Sequence, residues 1–255
     1  AAAQAGGREV MGSVASAYLE GQPIDRLADL RGEMVATLAR LGFDGLVHAS
    51  IQGPGQCEIK FGPADLLLAA DQIQLARYVV ASVARAYGKV ASFLPAPLSR
   101  APGSGLHLHV AMRRHGQSLF AGQGYADLSD TCLHAIGGVL RHAAVLNAFT
   151  NASTNSYRRL RLGRAEPSLL GFGTRNRATA VSRPEATRIE LRFPDPLAKP
   201  YLALGAIVLA MADGITTAAD PGEPIDRNTY DLAEDPTGLD RCALDLPGAL
   251  TALAA

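Results

Sequence analysis

The stretch 188–193 reads Arg-Ile-Glu-Leu-Arg-Phe and alternates charged and apolar residues at every position. In a β-strand, successive side chains point to opposite faces, so this period of two predicts a strand. The alternation defines two faces, with Ile189, Leu191 and Phe193 on one and Arg188, Glu190 and Arg192 on the other. The apolar face predicts a core strand. A face that carries Arg, Glu and Arg is either exposed to water or lines a polar cavity.

Two earlier segments alternate in the same way and favour the cavity. Their apolar positions are Cys57, Ile59 and Phe61 in the first and Leu106, Leu108 and Val110 in the second; their polar positions are Glu58 and Lys60, then His107 and His109. Glu58, His107 and Glu190 are therefore candidate metal ligands. Two carboxylates with one imidazole suit Mg²⁺ or Mn²⁺ better than zinc. A facial triad of His107, His109 and Glu190 for non-haem iron is an open alternative.

Four arginines accompany these ligands in the sequence: Arg159, Arg177, Arg188 and Arg192. A guanidinium group can bind a carboxylate or a phosphoryl group with two parallel hydrogen bonds. Cations and anions in one cavity predict an anionic ligand that a metal ion bridges to the protein. ATP together with an amino acid fits this description. The glycine-rich segments 53–55 and 103–105 are neither a Walker loop nor a dinucleotide fingerprint, so any nucleotide is held differently.

Helical periodicity marks four segments between the strands. The predicted helices are one from Asp25 as cap to Gly42 as stop, one over about 63–87, one over about 129–149 and one over 200–214. Helices mixed with alternating strands predict an α+β fold in one domain with a ragged start.

Composition excludes several classes of protein. The 255 residues include 24 basic and 24 acidic ones, so the net charge of zero argues against nucleic acid and anionic membranes as partners. Three widely spaced cysteines, Cys57, Cys132 and Cys242, predict neither a disulfide framework nor a metal site, and point to a reducing cytoplasm. The longest apolar stretch, 201–211, is shorter than the roughly 20 residues of a membrane span, so no membrane is expected. The opening without methionine predicts a fragment or a processed product.

Several motifs, taken in order, carry a family resemblance. They are Gly53-Pro54-Gly55-Gln56-Cys57-Glu58, the run 103–109 (GSGLHLH), 147–151 (NAFTN) leading to 154–160 (TNSYRRL), 175–177 (RNR), 188–196 (RIELRFPDP), and 220–224 (DPGEP) with 230–232 (YDL). Together they resemble the catalytic domain of glutamine synthetase over roughly residues 24–232. We therefore predict a ragged segment 1–23 and a glutamine synthetase-like catalytic domain 24–255, without the family's small N-terminal domain.

The resemblance implies a fold and a reaction. The fold is a curved, mostly antiparallel sheet with helices outside, assembled into ring-shaped homo-oligomers with two divalent ions, Mg²⁺ or Mn²⁺, per site. The reaction is the ATP-dependent ligation of glutamate and ammonia into glutamine through a γ-glutamyl phosphate. Phosphoryl transfer of this kind depends mainly on positioning and charge neutralisation.

The resemblance also assigns roles residue by residue. Glu58 matches a ligand of the first metal, and His107 and Glu190 match ligands of the second. The remaining matches are Gly103, Arg159 and Arg192 for glutamate, His109, Arg177 and Arg188 for nucleotide and phosphate, and Arg159, Glu166 and Arg177 for catalysis.

The chain departs from the family pattern at several places, among them Ser182, where an arginine is expected and Arg183 stands beside it. An early ExE strand has no match, and the acid expected before Gly53 is replaced by the run Ser50-Ile51-Gln52. Glu166 lies one residue away from the family's catalytic glutamate, and Glu185 stands where a lysine is expected. These departures keep two alternatives open: a γ-glutamyl ligase that uses another amine, and a catalytically impaired homologue that serves in binding or assembly.

Overall fold

The computed structural model describes residue 19 and residues 25–99, 101–161, 169–226 and 241–255. The chain divides into two compact units. The first contains Ala1–Phe93 with Leu98–Pro102, and the second contains Leu94–Pro97 with Gly103–Ala255.

The first unit is two helices and a hairpin, in the order α1 (Ala28–Arg40), β1 (Val47–Ser50), β2 (Cys57–Lys60) and α2 (Leu66–Ala86). α1 carries Leu30, Met34 and Leu38 at helical spacing, and these buried side chains pack with Val79 and Ala84 of α2. Ile59 of β2 packs against the same core, as the alternation of this strand predicts. Glu58 therefore lies on the opposite face of the hairpin.

Asp25 does not cap the first helix, contrary to the sequence prediction. α1 begins at Ala28, with Leu27 at the cap position. The Asp25 carboxylate accepts a hydrogen bond from the Leu27 amide at 3.1 Å, in the turn before α1, and two from Arg31, and both charged side chains are buried. The hydrogen bond from Arg31 lowers the pKa of Asp25 despite the opposing effect of burial. A buried guanidinium group requires hydrogen-bond acceptors, and the Asp25 carboxylate meets this requirement for Arg31.

The second unit holds the remaining elements. They are β3 (Leu108–Val110), β4 (Arg113–Arg114), β5 (Gln117–Ser118), α3 (Asp130–Arg141), α4 (Ala143–Thr150), α5 (Thr154–Arg161), β6 (Leu169–Thr174), β7 (Thr179–Glu185), β8 (Arg188–Leu191), α6 (Pro200–Thr216) and α7 (Leu246–Ala254). Its main sheet has the strand order β3-β8-β7-β6. The β3–β8 and β7–β8 pairs are antiparallel and the β6–β7 pair is parallel. The predicted mixture of helices with a mostly antiparallel sheet is confirmed.

The alternating stretch 188–193 occupies the middle of this sheet. β8 pairs with β3 on one side and with β7 on the other. Ile189, Leu191 and Phe193 are fully buried, so the predicted core face is confirmed. The regular strand ends at Leu191, two residues earlier than the alternation.

The predicted single helix over 129–149 is wrong, because α3 and α4 meet at His142 with a bend of 74°. Ser129 does cap α3, since its hydroxyl accepts a hydrogen bond from the Cys132 amide at 3.1 Å. α3 packs mainly against α6, whereas α4 packs against both α7 and α6. At the bend, His142 Nε2 lies 2.8 Å from the Asp213 carboxylate of α6.

Gly214 does not end α6, which continues to Thr216. The glycine serves close packing instead: a Cβ at Gly214 would lie 2.3 Å from the His134 carbonyl oxygen of α3, and one at Gly138 would lie 2.1 Å from the Ala210 carbonyl oxygen of α6. The two helices approach closely because neither glycine has a side chain.

One helix in the described part of the chain is long and apolar enough to cross a bilayer. α2 has 21 residues and contains an 18-residue window of mean hydropathy 1.2, of which 17% is buried. The bent pair α3 and α4 qualifies only when counted as one span. A single helix of this kind is weak evidence, because core helices meet the same criterion. The absence of a membrane partner stays a prediction.

We expect Gly138→Ala to lower the free energy of unfolding by about 2 kcal/mol, because overpacked helix contacts cost roughly 1–3 kcal/mol. Gly205→Ala in α6 is the matched control, since no described atom lies within 4 Å of a Cβ there. That control should raise stability by up to about 1 kcal/mol through helix propensity. Urea titration of both variants tests the pair, and equal effects would contradict the close-packing argument.

Candidate functional site

The polar face of β8 gathers three of the predicted site residues. Glu190 Oε1 accepts a hydrogen bond from Arg192 Nη1 at 2.6 Å and lies 3.2 Å from His107 Nδ1. His109 of β3 and Ser182 of β7 are the cross-strand partners of Glu190. Because β8 is central, polar groups from both neighbouring strands flank its carboxylate.

The charges in this cluster determine its protonation. Burial raises the pKa of Glu190, but the hydrogen bond to His107 and the charge of Arg192 outweigh burial and lower that pKa to about 2. Burial lowers the pKa of His107, the charges of Arg192 and Arg159 lower it further, and Glu190 opposes them. At neutral pH the cluster therefore holds an ionised carboxylate, a guanidinium group and a neutral imidazole.

Arg159 lies beneath this cluster and is almost fully buried, at 1% exposure. Its Nη1 donates to the carbonyl oxygens of Phe193 and Pro194 at 3.0 and 3.1 Å, and its Nη2 donates to that of Arg192 at 3.0 Å. Hydrogen bonds to a charged group contribute about 1.5–3 kcal/mol each. Arg159 thus fixes the backbone directly after β8.

Gly105 lies against the site residues, although the sequence predicts no role for it. A Cβ at this position would lie 2.6 Å from Arg159 Nη2 and 2.8 Å from His107 Nε2. A residue without a side chain is needed where these two side chains approach the backbone. The spacing of Gly105, two residues before His107, was the available signal.

A buried amide network supports the same backbone. Asn151 Nδ2 donates to the Phe193 carbonyl oxygen at 2.8 Å and to Asp195 Oδ2 at 3.0 Å. Its Oδ1 accepts from Asn147 Nδ2 and from the Thr150 hydroxyl, each at 2.8 Å. Burial raises the pKa of Asp195 against the effect of its hydrogen bonds. The motif residues 147–151 and 193–195 therefore build the support of the site.

The predicted nucleotide-binding residues lie around this cluster in the second unit. His109 is exposed on β3, and Arg177 is exposed in the β6–β7 connection. The Arg177 carbonyl oxygen accepts a hydrogen bond from Arg192 Nε at 3.0 Å. Arg188 Nε lies 2.9 Å from Glu185 Oε1, and both side chains are about half exposed. Gly103 is half-buried before β3.

Glu58 belongs to the first unit, on the β1–β2 hairpin. Its Oε2 lies 3.3 Å from Lys60 Nζ, and its cross-strand partner on the same face is Ala49. Ser50 pairs with Cys57, so it lies on the opposite face and is buried. The predicted catalytic Glu166 lies outside the described residues.

Comparison with known proteins identifies the family. The family model described as "Glutamine synthetase, catalytic domain" matches residues 3–255. The chain belongs to the glutamine synthetase family.

Individual relatives agree with this assignment. A glutamine synthetase of Bradyrhizobium diazoefficiens is 43% identical over 223 residues, which are 86% of this chain and 48% of the relative. A 3-hydroxylaminophenol mutase of Cupriavidus pinatubonensis is 45% identical over 221 residues, 84% of this chain and 47% of that protein. A solved GmaS/ADP complex superposes with a TM-score of 0.88 at 34% identity, covering 94% of this chain and 57% of that one. The chain spans about half the length of these curated relatives, and the predicted glutamine synthetase-like fold is confirmed.

The divalent ions of the glutamine synthetase family can be tested against the donors in the second unit. Adjacent ligands of an octahedral Mg²⁺ are about 3 Å apart, because its metal–ligand distances are about 2.0–2.1 Å. The 3.2 Å between His107 Nδ1 and Glu190 Oε1 fits two such ligands. Within the described residues, no group of three His, Cys, Asp or Glu side chains gathers at one place. The distance between these two atoms is thus compatible with two ligands of one such ion.

We expect Glu190 to stay ionised until the pH approaches about 2. Because its pKa is lower in the folded protein than the ordinary 4.5, the carboxylate stabilises the fold above pH 4.5, and this contribution is lost as the pH falls through about 2. Arg192→Gln should raise the pKa of Glu190 by removing the adjacent cation. Carbon NMR titration in EDTA tests this, with the exposed Arg114→Gln as control; a Glu190 midpoint unchanged in Arg192→Gln would contradict it.

Proposed function

We propose that this chain provides the catalytic domain of an ATP-dependent ligase that forms glutamine from glutamate and ammonia through a γ-glutamyl phosphate. Family membership supports the ligase class. The observation that carries the proposal is the ionised Glu190, held between the neutral His107 and the Arg192 guanidinium group. The ADP in the GmaS neighbour supports ATP as the phosphoryl donor.

The charge pattern suits phosphoryl transfer, because the transferred group carries negative charge that positioned cations must neutralise. His107 and Glu190 would hold one Mg²⁺ or Mn²⁺, with Glu58 assigned to the other by family resemblance. When bound, such an ion supplies electrostatic neutralisation of phosphoryl oxygens. A neutral imidazole and an ionised carboxylate are the protonation states that metal binding requires.

We propose separate roles for the arginines. Arg177 and Arg188, with His109, would bind nucleotide and phosphate, and Arg192, with Gly103, would bind the glutamate carboxylate. Arg159 donates three hydrogen bonds to main-chain oxygens, which supports a role in positioning Arg192 in addition to any contact with glutamate. Glu166 would take the proton from ammonium.

An amine other than ammonia is the second candidate acceptor. The side chains beside Glu58 on its hairpin face are Ala49, Val47 and Lys60, and no carboxylate stands at position 50. The apolar side chains of Ala49 and Val47 on this face favour an acceptor that carries an alkyl group. The glutamyl phosphate chemistry would be unchanged in such a ligase.

A catalytically impaired homologue is the third candidate. The pairing of Glu58 with Lys60 favours it, because a cation already neutralises a predicted metal ligand.

We further propose a ring-shaped homo-oligomer in the cytoplasm, as family relatives suggest, with small-molecule substrates and without nucleic acid or membrane partners.

Binding of Mn²⁺ to this chain tests the metal ligands directly. Glu190→Gln removes a charged ligand, so the affinity measured by electron paramagnetic resonance should fall by about tenfold or more. Glu33→Gln makes the same chemical change at an exposed α1 residue and should leave the affinity unchanged. Equal affinity in Glu190→Gln and in the unsubstituted chain would contradict the assignment.

Product analysis separates the three candidate functions. Phosphate release from ATP in the presence of this chain should require glutamate and Mg²⁺. Mass spectrometry should find glutamine with ammonia, or an N-alkyl glutamine if a small alkylamine is the acceptor. Nucleotide binding without turnover for any acceptor would instead favour the impaired homologue.

A further inference from the structure

Tyr125 joins two segments of the second unit through its hydroxyl group. The hydroxyl donates to Asp226 Oδ1, accepts from the Thr174 amide at 3.0 Å and lies 2.8 Å from the Thr174 hydroxyl. The Thr174 amide also donates to Asp226 Oδ1 at 2.8 Å. The Tyr125 ring packs edge-on against Phe172, with centroids 5.5 Å apart. These contacts fix the end of β6.

The β6–β7 connection that follows is unusually short. β6 ends at Thr174 and β7 begins at Thr179, yet the two strands are parallel. Parallel strands are normally joined by a dozen or more residues. Only residues 175–178 connect the end of β6 to the start of β7, so the connection has little conformational freedom. Arg175 adopts a φ of 54° within it. The position of Arg177 therefore depends on how the ends of this connection are held.

Both ends are held by hydrogen bonds. On one side, Asn176 Nδ2 donates to the Ile225 carbonyl oxygen at 2.7 Å, and the Ile225 amide donates to the Phe172 carbonyl oxygen at 2.8 Å. On the other side, Arg192 Nε donates to the Arg177 carbonyl oxygen.

The residues next to Tyr125 are strained, since Ala126 and Asp127 have φ values of 52° and 61°. Strain of this kind concentrates at functional sites, where the surrounding contacts maintain it.

We propose that Tyr125, Asp226 and Thr174 are positioning residues that hold the β6–β7 connection so that Arg177 meets the phosphates of the nucleotide. The assignment rests on the proposed function, in which Arg177 binds nucleotide. Without the Tyr125 hydroxyl group, the connection gains freedom, and the guanidinium group must be ordered when the nucleotide binds. Glutamate binding should be spared, because Arg159 contacts the backbone after β8 and Arg192 keeps its hydrogen bond to Glu190.

Calorimetry of this chain with Mg²⁺ADP and, separately, with glutamate tests the assignment. Tyr125→Phe should weaken ADP binding on the order of tenfold, the factor that corresponds to one lost hydrogen bond, and leave glutamate binding unchanged. Asp226→Asn keeps the accepting oxygen and should bind ADP like the unsubstituted chain, whereas Asp226→Ala should behave like Tyr125→Phe. Tyr78→Phe, at an exposed tyrosine of α2, is the control for the tyrosine change.

The outcomes separate this assignment from the proposed function. Unchanged ADP binding in Tyr125→Phe, or equal weakening of ADP and glutamate, would overturn the positioning role while leaving the ligase proposal intact. A lack of ADP binding by the unsubstituted chain would overturn both. If Tyr125→Phe fails to fold, the comparison of Asp226→Asn with Asp226→Ala decides, and equal ADP affinity in that pair would overturn the assignment.

Discussion

The guanidinium group of Arg159, buried against the carbonyl oxygens of residues 192, 193 and 194, is the constraint on which the candidate site depends. Those carbonyl groups follow β8 where its regular pairing has ended, so they need other donors. Arg159 and Asn151 supply them, and Gly105 gives Arg159 the space it requires. The polar face of β8 is thereby fixed relative to α5.

Arg192, whose carbonyl oxygen Arg159 binds, contacts two parts of the proposed site. Arg192 donates to Glu190 with its Nη1 and to the Arg177 carbonyl oxygen with its Nε. One side chain therefore connects the candidate metal ligands with the connection that carries Arg177. Preorganised charges of this kind require little rearrangement when a substrate develops charge in the transition state.

The sequence predicted those parts of the fold whose periodicity is simple. The period of two over 188–193 identified the core face and the polar face, and helical spacing located α1, α2 and α6. It missed β6 and β7, because their residues are buried on both faces and do not alternate. It also misread Gly214 and Asp25, because the roles of these residues depend on their tertiary contacts, Gly214 with Gly138 and Asp25 with the Arg31 side chain.

The sequence predicted which residues form the candidate site, but it did not predict which hydrogen bonds they make. His107 directly precedes β3, and the pairing of β3 with β8 accounts for its approach to Glu190. The pairing of Arg159 with main-chain oxygens does not, because a guanidinium group in a sequence gives no sign of whether it will bind a ligand or the backbone. The motif residues 147–151 likewise gave no sign that their amide network holds the backbone after β8.

The unfolding free energy of Arg159→Lys tests the central constraint most directly. Lysine keeps the charge but lacks the planar fork, so it cannot serve three carbonyl oxygens in the same geometry. We predict a loss of about 3 kcal/mol in urea unfolding, as expected for buried charged hydrogen bonds, and a negligible change for the exposed Arg40→Lys. An unfolding free energy of Arg159→Lys equal to that of the unsubstituted chain would contradict the account.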